Sequence, residues 1–236
     1  MRVLLVGSGG REHALAWKIA QSPLCEHLWI APGNPGTAQY GTNVDLAADD
    51  AAGLVGLATR ENIDLIVVGP EAPLVAGLGE VCEAVDLPMF GPSSYAAQIE
   101  GSKAFAKAIM HHANVPTAAA HTFNDLEDAL EFVEQSKQVW VVKADGLAAG
   151  KGVIVPDDVA GTLAAIHEIA GTNAGQTLVL EEKLSGVEVS LLAICDGERA
   201  LPLLSAQDHK RIDDGDQGAN TGGMGAYAPA PMLDQA

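Results

Sequence analysis

The sequence predicts an α/β protein in which a parallel-sheet domain comes first and a partial α+β domain with a mainly antiparallel sheet follows. Three observations predict this architecture. Short apolar runs alternate with longer helical patterns over the first hundred residues, which is typical of a parallel sheet. After Gly101 the pattern changes, because a strand–loop–strand arrangement replaces strand–loop–helix. Hydrophobic residues make up 48% of the 236 residues and charged residues 19%, which excludes an intrinsically disordered chain.

The first half reads as strands and helices in alternation. The first apolar run predicts a buried strand that stops at a glycine turn, and apolar residues at helical spacing predict the helix that follows. The predicted elements are strand Val3–Val6, helix Arg11–Gln21, strand His27–Ala31, helix Asp49–Arg60, strand Ile63–Val68, helix Leu74–Val85 and strand Pro88–Phe90. In such a sheet, ligands bind where strands end and helices begin.

The second half mixes helices with strands joined by hairpins. Ser102 caps a predicted helix that stops before Pro116, and Asp196-Gly197-Glu198 predicts a hairpin turn. The predicted elements are helices Ser102–Asn114, Asp125–Gln135 and Asp157–Ile169, and strands Val139–Lys143, Val153–Val155, Thr177–Leu180, Val187–Cys195 and Ala200–Leu204.

Residues 213–225 are polar and rich in glycine, which predicts a functional loop. Only 11 residues follow this loop, and domains seldom end so soon after such a segment. We therefore expect the chain to stop inside a domain.

The charge balance argues against polyanionic partners. Lysine and arginine number 13 and the acidic residues 31, for a net charge of −18. A chain this acidic is repelled by nucleic acid and by anionic membrane surfaces, so we expect neither as a partner. No apolar run approaches the roughly 20 residues that span a bilayer, and the run at the N-terminus is too short for a signal peptide. The sequence therefore indicates a cytoplasmic protein.

The three cysteines, Cys25, Cys82 and Cys195, show no metal-ligand spacing. Their odd number and wide separation argue against a disulfide framework and against a zinc site. All three lie beside apolar residues, so we expect inert positions in the core.

The glycine turn 7–10 separates the first strand from the first helix. Backbone N–H groups and the helix dipole attract an anion at such a point, and Arg11 could hold a phosphate through two hydrogen bonds. A dinucleotide fingerprint would need glycine in place of Glu12, and an acidic residue near Ala31, where the second strand ends. The residues thus favour a phosphate at the turn over a dinucleotide-dependent oxidoreductase. The alternative is a tight turn whose glycines serve only its geometry.

Lys143 ends an apolar strand, and the glycine-rich segment 145–152 follows it. Gly152 stands where a P-loop would need serine or threonine, so this segment is not that motif. Its backbone N–H groups and Lys151 still suit a flap over a polyphosphate. Lys103, one residue into a capped helix, is a third cation, although such a lysine taken alone is more often a solvated surface residue.

Two further clusters give a weaker indication of a binding site when they are judged by spacing alone. Residues 181–184, with Glu188 nearby, suit either an adenine edge and ribose hydroxyls or a solvated acidic edge. Residues 208–211 precede the glycine-rich segment 220–227, and their cations suit an anionic intermediate. His209 fits a general base and a hydrogen-bonded structural histidine equally well.

These segments occur together, in this order, in one known family. The matching segments are 9–17, 31–34, 68–74, 90–92, 100–105, 143–153, 207–211 and 220–227, and the match extends over the whole chain. On these segments the sequence closely resembles the glycinamide ribonucleotide synthetases (phosphoribosylamine–glycine ligases), ATP-grasp enzymes of purine biosynthesis. The set is highly specific, unlike any one of its glycine motifs. A related ATP-grasp ligase acting on another amine is the nearest rival within this class.

The resemblance implies an activity and a domain plan. ATP would phosphorylate the carboxylate of glycine to glycyl phosphate, and the amine of 5-phosphoribosylamine would displace phosphate, leaving glycinamide ribonucleotide and ADP. Residues 1–101 would form a parallel α/β substrate-binding domain that precedes the ATP-grasp region. Residues 102–236 would form that ATP-grasp region, incomplete at its C-terminal end, with a smaller lid subdomain at about 122–187.

The resemblance also implies which residues bind and act. The residues expected to bind ATP are Lys103, Lys143, Gly146, Gly150, Lys151, Gly152, Glu181, Glu182, Lys183, Leu184 and Glu188. Those expected near the ribose phosphate substrate are Gly9, Gly10, Arg11 and Glu71. The glycine and acyl-phosphate end is expected at Asp208, His209 and Lys210 as catalytic residues, with Thr221, Gly222 and Gly223 binding substrate.

ATP and Mg²⁺ (or Mn²⁺) are the implied cofactors, and glycine and 5-phosphoribosylamine the implied partners. The metal ligands of ATP-grasp enzymes are expected beyond Ala236, with none in this chain, so we expect the chain to be inactive alone. We further expect a monomer. A third interpretation is a non-catalytic module that holds a nucleotide or a ribose phosphate without chemistry.

Overall fold

The computed structural model describes residues 1–148, 152–172, 175–215 and 217–233, with the backbone alone at residues 219, 220 and 222. These residues divide into two units, Met1–Thr117 with Asp145–Leu147, and Ala118–Ala144 with Ala148–Ala236. No helix in the described ranges is long and apolar enough to cross a membrane.

A parallel sheet organises the first unit, as predicted. Its elements are β1 (Arg2–Gly7), α1 (Gly10–Ile19), β2 (His27–Pro32), a 3₁₀ turn (Thr37–Gln39), β3 (Thr42–Asn43), α2 (Ala51–Glu61), β4 (Leu65–Val68), α3 (Glu71–Val75), α4 (Leu78–Glu83), β5 (Met89–Phe90), α5 (Ser94–Gly101) and α6 (Lys103–His112). The strands lie in the order β3-β2-β1-β4-β5, and each adjacent pair is parallel.

Strand β1 forms the centre of this sheet because both of its faces are apolar. Leu4 and Val6 pack into the core on one face, while Val3 and Leu5 pack into the core on the other. Alternate residues of a strand point to opposite faces, so one short apolar run serves two cores. Because β1 runs parallel to both β2 and β4, the C-terminal ends of these three strands lie at one edge of the sheet. The first candidate site lies at this edge.

The predicted helix Leu74–Val85 is wrong as one element, since the structure has two helices, α3 and α4, in its place. The break lies at Gly77, whose φ of 97° is left-handed and incompatible with a continuous right-handed helix. Strand β3 and helix α5 were not predicted. Strand β3 has only two residues, and α5 is marked by the side chain of Ser93, which accepts a hydrogen bond from the N–H of Ala96 at 3.3 Å.

An antiparallel sheet organises the second unit. Its elements are β6 (Ala120–Phe123), α7 (Leu126–Ser136), β7 (Trp140–Ala144), β8 (Val153–Ile154), α8 (Val159–Ala170), β9 (Leu178–Glu182), β10 (Ala193–Cys195), β11 (Ala200–Pro202), β12 (Gln207–Asp213) and β13 (Gln217–Tyr227). The order β6-β9-β7-β8 is antiparallel throughout, which confirms the predicted α+β character. Helices α7 and α8 pack on it through Val133 and Ile166, both fully buried.

Two predictions for the second unit are wrong. The predicted strand Val187–Cys195 is regular only over Ala193–Cys195, although Ser190 makes an isolated bridge to Ala206. The glycine-rich segment predicted as a loop instead forms strand β13, which pairs with β12 from Gln207 opposite Tyr227 onward. Pairing with a neighbouring strand decides strand formation more strongly than composition does. The predicted hairpin turn between β10 and β11 is confirmed.

The cysteines differ in exposure, so the core prediction holds only in part. Cys82 is buried and Cys25 is half-buried, and burial raises the pKa of both thiols. A raised pKa leaves less thiolate and makes both sulfurs less reactive. Cys195 lies exposed on β10, so its assignment to the core is wrong.

Candidate functional site

The turn between β1 and α1 contains its own carboxylate. The side chain of Glu12 is only 3% exposed, and its Oε2 accepts a hydrogen bond of 2.6 Å from the backbone N–H of Gly9. A β-carbon added at Gly69 would collide with the same carboxylate, so glycine is required there. The N–H of Gly9 is therefore already satisfied inside the protein, and Gly10 and Arg11 are left to meet an external anion at this turn.

Asn34 joins this turn to the loop after β2. Its Nδ2 donates to the carbonyl oxygens of Ser8 and Gly9, at 2.9 and 3.3 Å. Its Oδ1 accepts from the backbone N–H groups of Gly36 and Thr37, at 2.7 and 3.1 Å. One amide side chain thus fixes the geometry of two loops at the same edge of the sheet.

Arg11 joins the same turn to the loop after β4. Its guanidinium donates to the carbonyl oxygen of Gly69 at 2.7 Å and to Oε1 of Glu71 at 3.0 Å. The Arg11 side chain is 58% exposed, so one side of it remains open to solvent. The structure therefore brings together Arg11 and Glu71, two residues predicted to bind the ribose phosphate.

A cavity of about 300 Å³ lies beside this turn. Its lining residues are Gly10, His13, Ala14, Trp17 and Tyr40. The rings of His13 and Tyr40 are 5.6 Å apart, so aromatic faces border the cavity next to the start of α1. The cavity offers space for a small polar molecule at the edge where the sheet predicts a ligand.

Helix α6 brings Lys103 to the turn that follows β7. Nζ of Lys103 donates to the carbonyl oxygen of Gly146 at 2.9 Å. Asp145, one residue earlier, accepts hydrogen bonds from Ser102 and from the N–H of Ala104. Two residues predicted to bind ATP, Lys103 and Gly146, therefore contact each other directly.

In the second unit, Lys143 and Glu181 form an ion pair on adjacent strands β7 and β9. Their side chains are 23% and 12% exposed, so much of the pair is removed from water. A lysine held this way has its stem covered by protein and its ammonium group directed at a defined position. Both residues were predicted to bind ATP, and the structure brings them together.

The neighbouring residues of the predicted adenine segment point to different partners. A carboxylate oxygen of Glu182 accepts from the N–H of Ala119 at 3.3 Å, while Nζ of Lys183 donates to the carbonyl of Pro156 at 2.7 Å. Leu184 is 68% exposed. Gly152 lies beside Ala148, and Gly150 and Lys151 lie outside the described residues.

The predicted catalytic residues lie on the hairpin of β12 and β13. Lys210 forms an ion pair with Glu188, and its Nζ is 3.9 Å from Oδ2 of Asp208. Oγ1 of Thr221 donates to the carbonyl of Lys210 at 2.8 Å and accepts from the N–H of Gly223 at 3.0 Å. The structure therefore places Asp208, Lys210 and Thr221, all predicted to act on glycine and its acyl phosphate, on one hairpin. Glu188, predicted to contact the ribose of ATP, pairs with Lys210.

His209 occupies the same hairpin, opposite Gly225 in the register. Its ring centre lies 5.7 Å from that of Tyr227. This aromatic contact is compatible with either role left open by the sequence.

No group of three or more histidine, cysteine, aspartate or glutamate side chains that could hold a metal ion occurs among the residues that the structure describes. In the candidate sites, Glu71 pairs with arginine, and Glu181 and Glu188 pair with lysine. Glu12 accepts a hydrogen bond from a backbone N–H group.

Sequence reasoning missed Asn34, Ser102 and Asp145 as site-building residues, and treated Glu12 only as a departure from glycine. All four lie within segments that carried the family resemblance. Their contacts join positions that are far apart in the chain or enclosed in a turn, so spacing alone gave no signal for them.

Comparisons with known proteins cover both units. Residues 1–100 match the N domain of phosphoribosylglycinamide synthetase, and residues 101–236 match the ATP-grasp (A) domain of the same family. A phosphoribosylamine–glycine ligase from Allochromatium vinosum is 56% identical over 99% of the chain, and one from Escherichia coli O157:H7 is 49% identical over 99%. The chain spans 56% of the length of each of these relatives.

Solved structures agree with this result. The phosphoribosylamine–glycine ligase of Thermotoga maritima is 32% identical, with a TM-score of 0.79 over 98% of the chain and 56% of that structure. The N5-carboxyaminoimidazole ribonucleotide synthetase of Thermus thermophilus is 19% identical, with a TM-score of 0.70 over 99% of the chain and 59% of that structure. The second likeness shows a shared fold.

Proposed function

Because the chain belongs to the phosphoribosylglycinamide synthetase family, we propose that it supplies the nucleotide-binding and substrate-binding parts of an ATP-dependent ligase. The proposed reaction joins glycine to 5-phosphoribosylamine and releases ADP and phosphate. The observation that carries this proposal is the unbroken match of the two family domains to residues 1–236. The relatives named phosphoribosylamine–glycine ligase are 56% and 49% identical to the chain over 99% of its length, which supports the same assignment.

The chemistry divides into two steps. A carboxylate oxygen of glycine attacks the γ-phosphorus of ATP, the bond to the β-phosphate oxygen breaks, and ADP leaves. The amine nitrogen of 5-phosphoribosylamine then attacks the acyl carbon of glycyl phosphate, the carbon–oxygen bond to phosphate breaks, and the nitrogen loses a proton. Both steps move negative charge onto phosphate oxygens, so fixed cations and backbone N–H groups are the groups that assist them.

We assign the nucleotide to Lys143 and Glu181 in the second unit, with residues 182–184 and Glu188 near its base and ribose. A half-buried ammonium on a strand is suited to phosphate, because protein screens it less from an anion than water does. Lys103 and Gly146 remain proposed nucleotide contacts on the basis of the family resemblance. Gly150, Lys151 and Gly152 remain proposed phosphate contacts on the basis of sequence.

We assign the ribose phosphate to Gly9, Gly10, Arg11 and Glu71. The open side of the Arg11 guanidinium suits a phosphate, and the cavity beside Gly10 supplies room for a sugar. Since the N–H of Gly9 bonds to Glu12, the proposed role of Gly9 is to allow close approach of the backbone.

We assign the glycine and acyl-phosphate end to Asp208, His209 and Lys210, with Thr221, Gly222 and Gly223. Lys210 carries the positive charge that this end requires, and Glu188 and Asp208 fix its position. Thr221 connects the two strands of the hairpin through the carbonyl of Lys210.

Mg²⁺ or Mn²⁺ is implied by the family, but the described side chains do not group into a set that fits such an ion. We propose that the 236-residue chain binds ATP without completing the reaction, as its resemblance to longer ligases implies. A cytoplasmic monomer with domains at 1–101 and 102–236, and a lid at about 122–187, remains our working assignment.

Calorimetric titration tests the proposal. We expect the chain to bind ATP and ADP, to bind adenosine more weakly, and to show no binding of NADH at the same concentrations. Binding of NADH in preference to ATP would reject the ligase assignment in favour of the oxidoreductase. Formation of glycinamide ribonucleotide by the 236-residue chain would contradict the part of the proposal that denies it turnover.

A further inference from the structure

We propose that Asp145 is a positioning residue for nucleotide binding, because it holds the start of helix α6, and with it Lys103, against the turn at Gly146. This inference rests on the proposed function. Asp145 itself is not assigned to any ligand, and its carboxylate accepts hydrogen bonds from Ser102 and Ala104.

The contacts of Asp145 converge on the first turn of α6. Its Oδ2 accepts from the hydroxyl of Ser102 at 2.9 Å, and its Oδ1 lies 3.1 Å from the same hydroxyl. Oδ1 also accepts from the backbone N–H of Ala104 at 3.1 Å. The carboxylate is half-buried and lies more than forty residues away along the chain, so this is a tertiary cap rather than a local one.

Ser102 makes this arrangement reciprocal. Its hydroxyl oxygen accepts from the N–H of Phe105 at 3.1 Å, while its hydroxyl hydrogen is donated to Asp145. Two of the N–H groups that a helix start leaves unsatisfied, at Ala104 and Phe105, are thereby bonded. The negative charge of Asp145 also lies at the positive end of the helix dipole, where it is favoured.

Lys103 lies between these two bonded N–H groups and Ser102, as the first residue of α6. Its backbone is held through Ala104 and Ser102, and its Nζ donates to the carbonyl of Gly146, the residue after Asp145. The turn at residues 145–146 therefore holds Lys103 at both ends of the residue, at its backbone through Asp145 and at its ammonium group through Gly146. Removing the Asp145 carboxylate releases the backbone end of this arrangement.

The position of the Lys103 ammonium group affects the binding of the phosphates of ATP more than the binding of its adenine base. A charge that is held in place binds a phosphate without losing side-chain entropy on binding, whereas a released lysine loses that entropy. The proposal therefore predicts a loss of ATP affinity with little loss of adenosine affinity. A residue with a purely structural role would affect both ligands alike.

The experiment compares Asp145→Ala and Asp145→Asn with Asp125→Ala in the 236-residue chain. Asp125 is a matched control, since it caps α7 by accepting from the N–H groups of Glu127 and Asp128, at 2.8 and 3.3 Å. Amide hydrogen exchange over residues 102–107 reports the cap directly. Calorimetric affinities for ATP and for adenosine report its consequence.

We expect Asp145→Ala to speed exchange over 102–107 and to weaken ATP binding by about tenfold, with adenosine affinity within about twofold of the original. Asp145→Asn keeps an acceptor oxygen and should recover most of the ATP affinity. Asp125→Ala should change neither amide exchange over residues 102–107 nor the affinity for ATP. Exchange that does not respond to Asp145→Ala, or equal losses for ATP and adenosine, would overturn the proposal.

The two proposals fail in different ways. If the unaltered chain binds ATP no better than adenosine, the proposed function fails, and the positioning role fails with it. If the unaltered chain prefers ATP and Asp145→Ala keeps that preference, only the positioning role fails.

Discussion

Glu12 accepts a 2.6 Å hydrogen bond from the backbone N–H of Gly9, three residues earlier, while almost fully buried. The carboxylate fills the space between the ends of β1 and β4 that a third glycine would leave open in a dinucleotide fingerprint. This single side chain is where the strand–turn–helix departs from the dinucleotide fingerprint.

The first prediction concerns the stability of this turn. Glu12→Ala removes a hydrogen bond between the carboxylate and the N–H of Gly9 and empties the position of a buried side chain, so we expect it to lower the free energy of unfolding by about 1–3 kcal/mol. Urea denaturation measures the change. Glu83→Ala, an exposed glutamate on α4, should change it by less than about 0.5 kcal/mol. Equal effects would mean that the Glu12 contact contributes nothing specific.

The second prediction separates binding from stability at Lys143. Lys143→Met removes the ammonium group that pairs with the mostly buried Glu181, so we expect both weaker ATP binding, by about tenfold or more, and a lower free energy of unfolding. Adding Glu181→Gln should restore stability but not ATP affinity. Lys18→Met, an exposed lysine on α1, should leave both unchanged. Recovery of ATP binding in the double variant would argue against a phosphate contact by Lys143.

The third prediction uses two glycines with opposite expected effects. Gly77 has a φ of 97°, so Gly77→Ala introduces backbone strain and should destabilise the chain by about 1 kcal/mol. Gly56 lies inside helix α2 with open space around a would-be β-carbon, so Gly56→Ala should stabilise it by about 0.5–1 kcal/mol. Thermal unfolding of the two variants is the measurement, and shifts of the same sign would contradict the described backbone.

The fourth prediction concerns pH. Hydrogen bonds of 2.8 Å from the backbone N–H and the hydroxyl of Ser94 lower the pKa of Glu80. A lowered pKa in the folded state means that the unfolded state binds more protons, so this contribution to stability is present above the ordinary glutamate value of about 4.3. It is lost as the pH falls through the lowered pKa.

We therefore expect Glu80→Gln to reduce the loss of unfolding free energy between about pH 5 and pH 3. Denaturant titrations at several pH values measure this slope. Glu83→Gln, on the same helix and exposed, serves as the control. An unchanged slope in Glu80→Gln would show that the Ser94 contacts do not persist in solution.

The fifth prediction concerns the apolar face of the β10–β11 hairpin. Ile194 and Leu201 are paired across the hairpin and are 48% and 65% exposed. A cluster of this kind binds hydrophobic probes. The double change Ile194→Ser/Leu201→Ser should lower the fluorescence of a bound hydrophobic dye, whereas Leu24→Ser, at an equally exposed leucine in the other unit, should have a smaller effect.

The parallel sheet could be predicted from the sequence because its strands are buried on both faces and therefore read as continuous apolar runs. Val3–Val6 and Ile63–Val68 carry this signal and match β1 and β4 closely. The antiparallel hairpin of β12 and β13 could not be predicted, because glycine is a poor strand former by composition and only its partner strand supplies the bonds.

The candidate sites show the same division. Lys143, Glu181, Arg11 and Glu71 were predicted from sequence, and the structure pairs them two by two. The tertiary cap by Asp145 was not predicted, since Ser102 and Asp145 are separated by 43 residues and no local pattern joins them.

Asn34 has a consequence for how this protein tolerates mutation. Its amide hydrogen bonds span the loops after β1 and β2, and Arg11 extends the same linkage to the loop after β4. Substitutions in these three loops should accordingly show epistasis, with a change harmless in one genetic background becoming damaging in another.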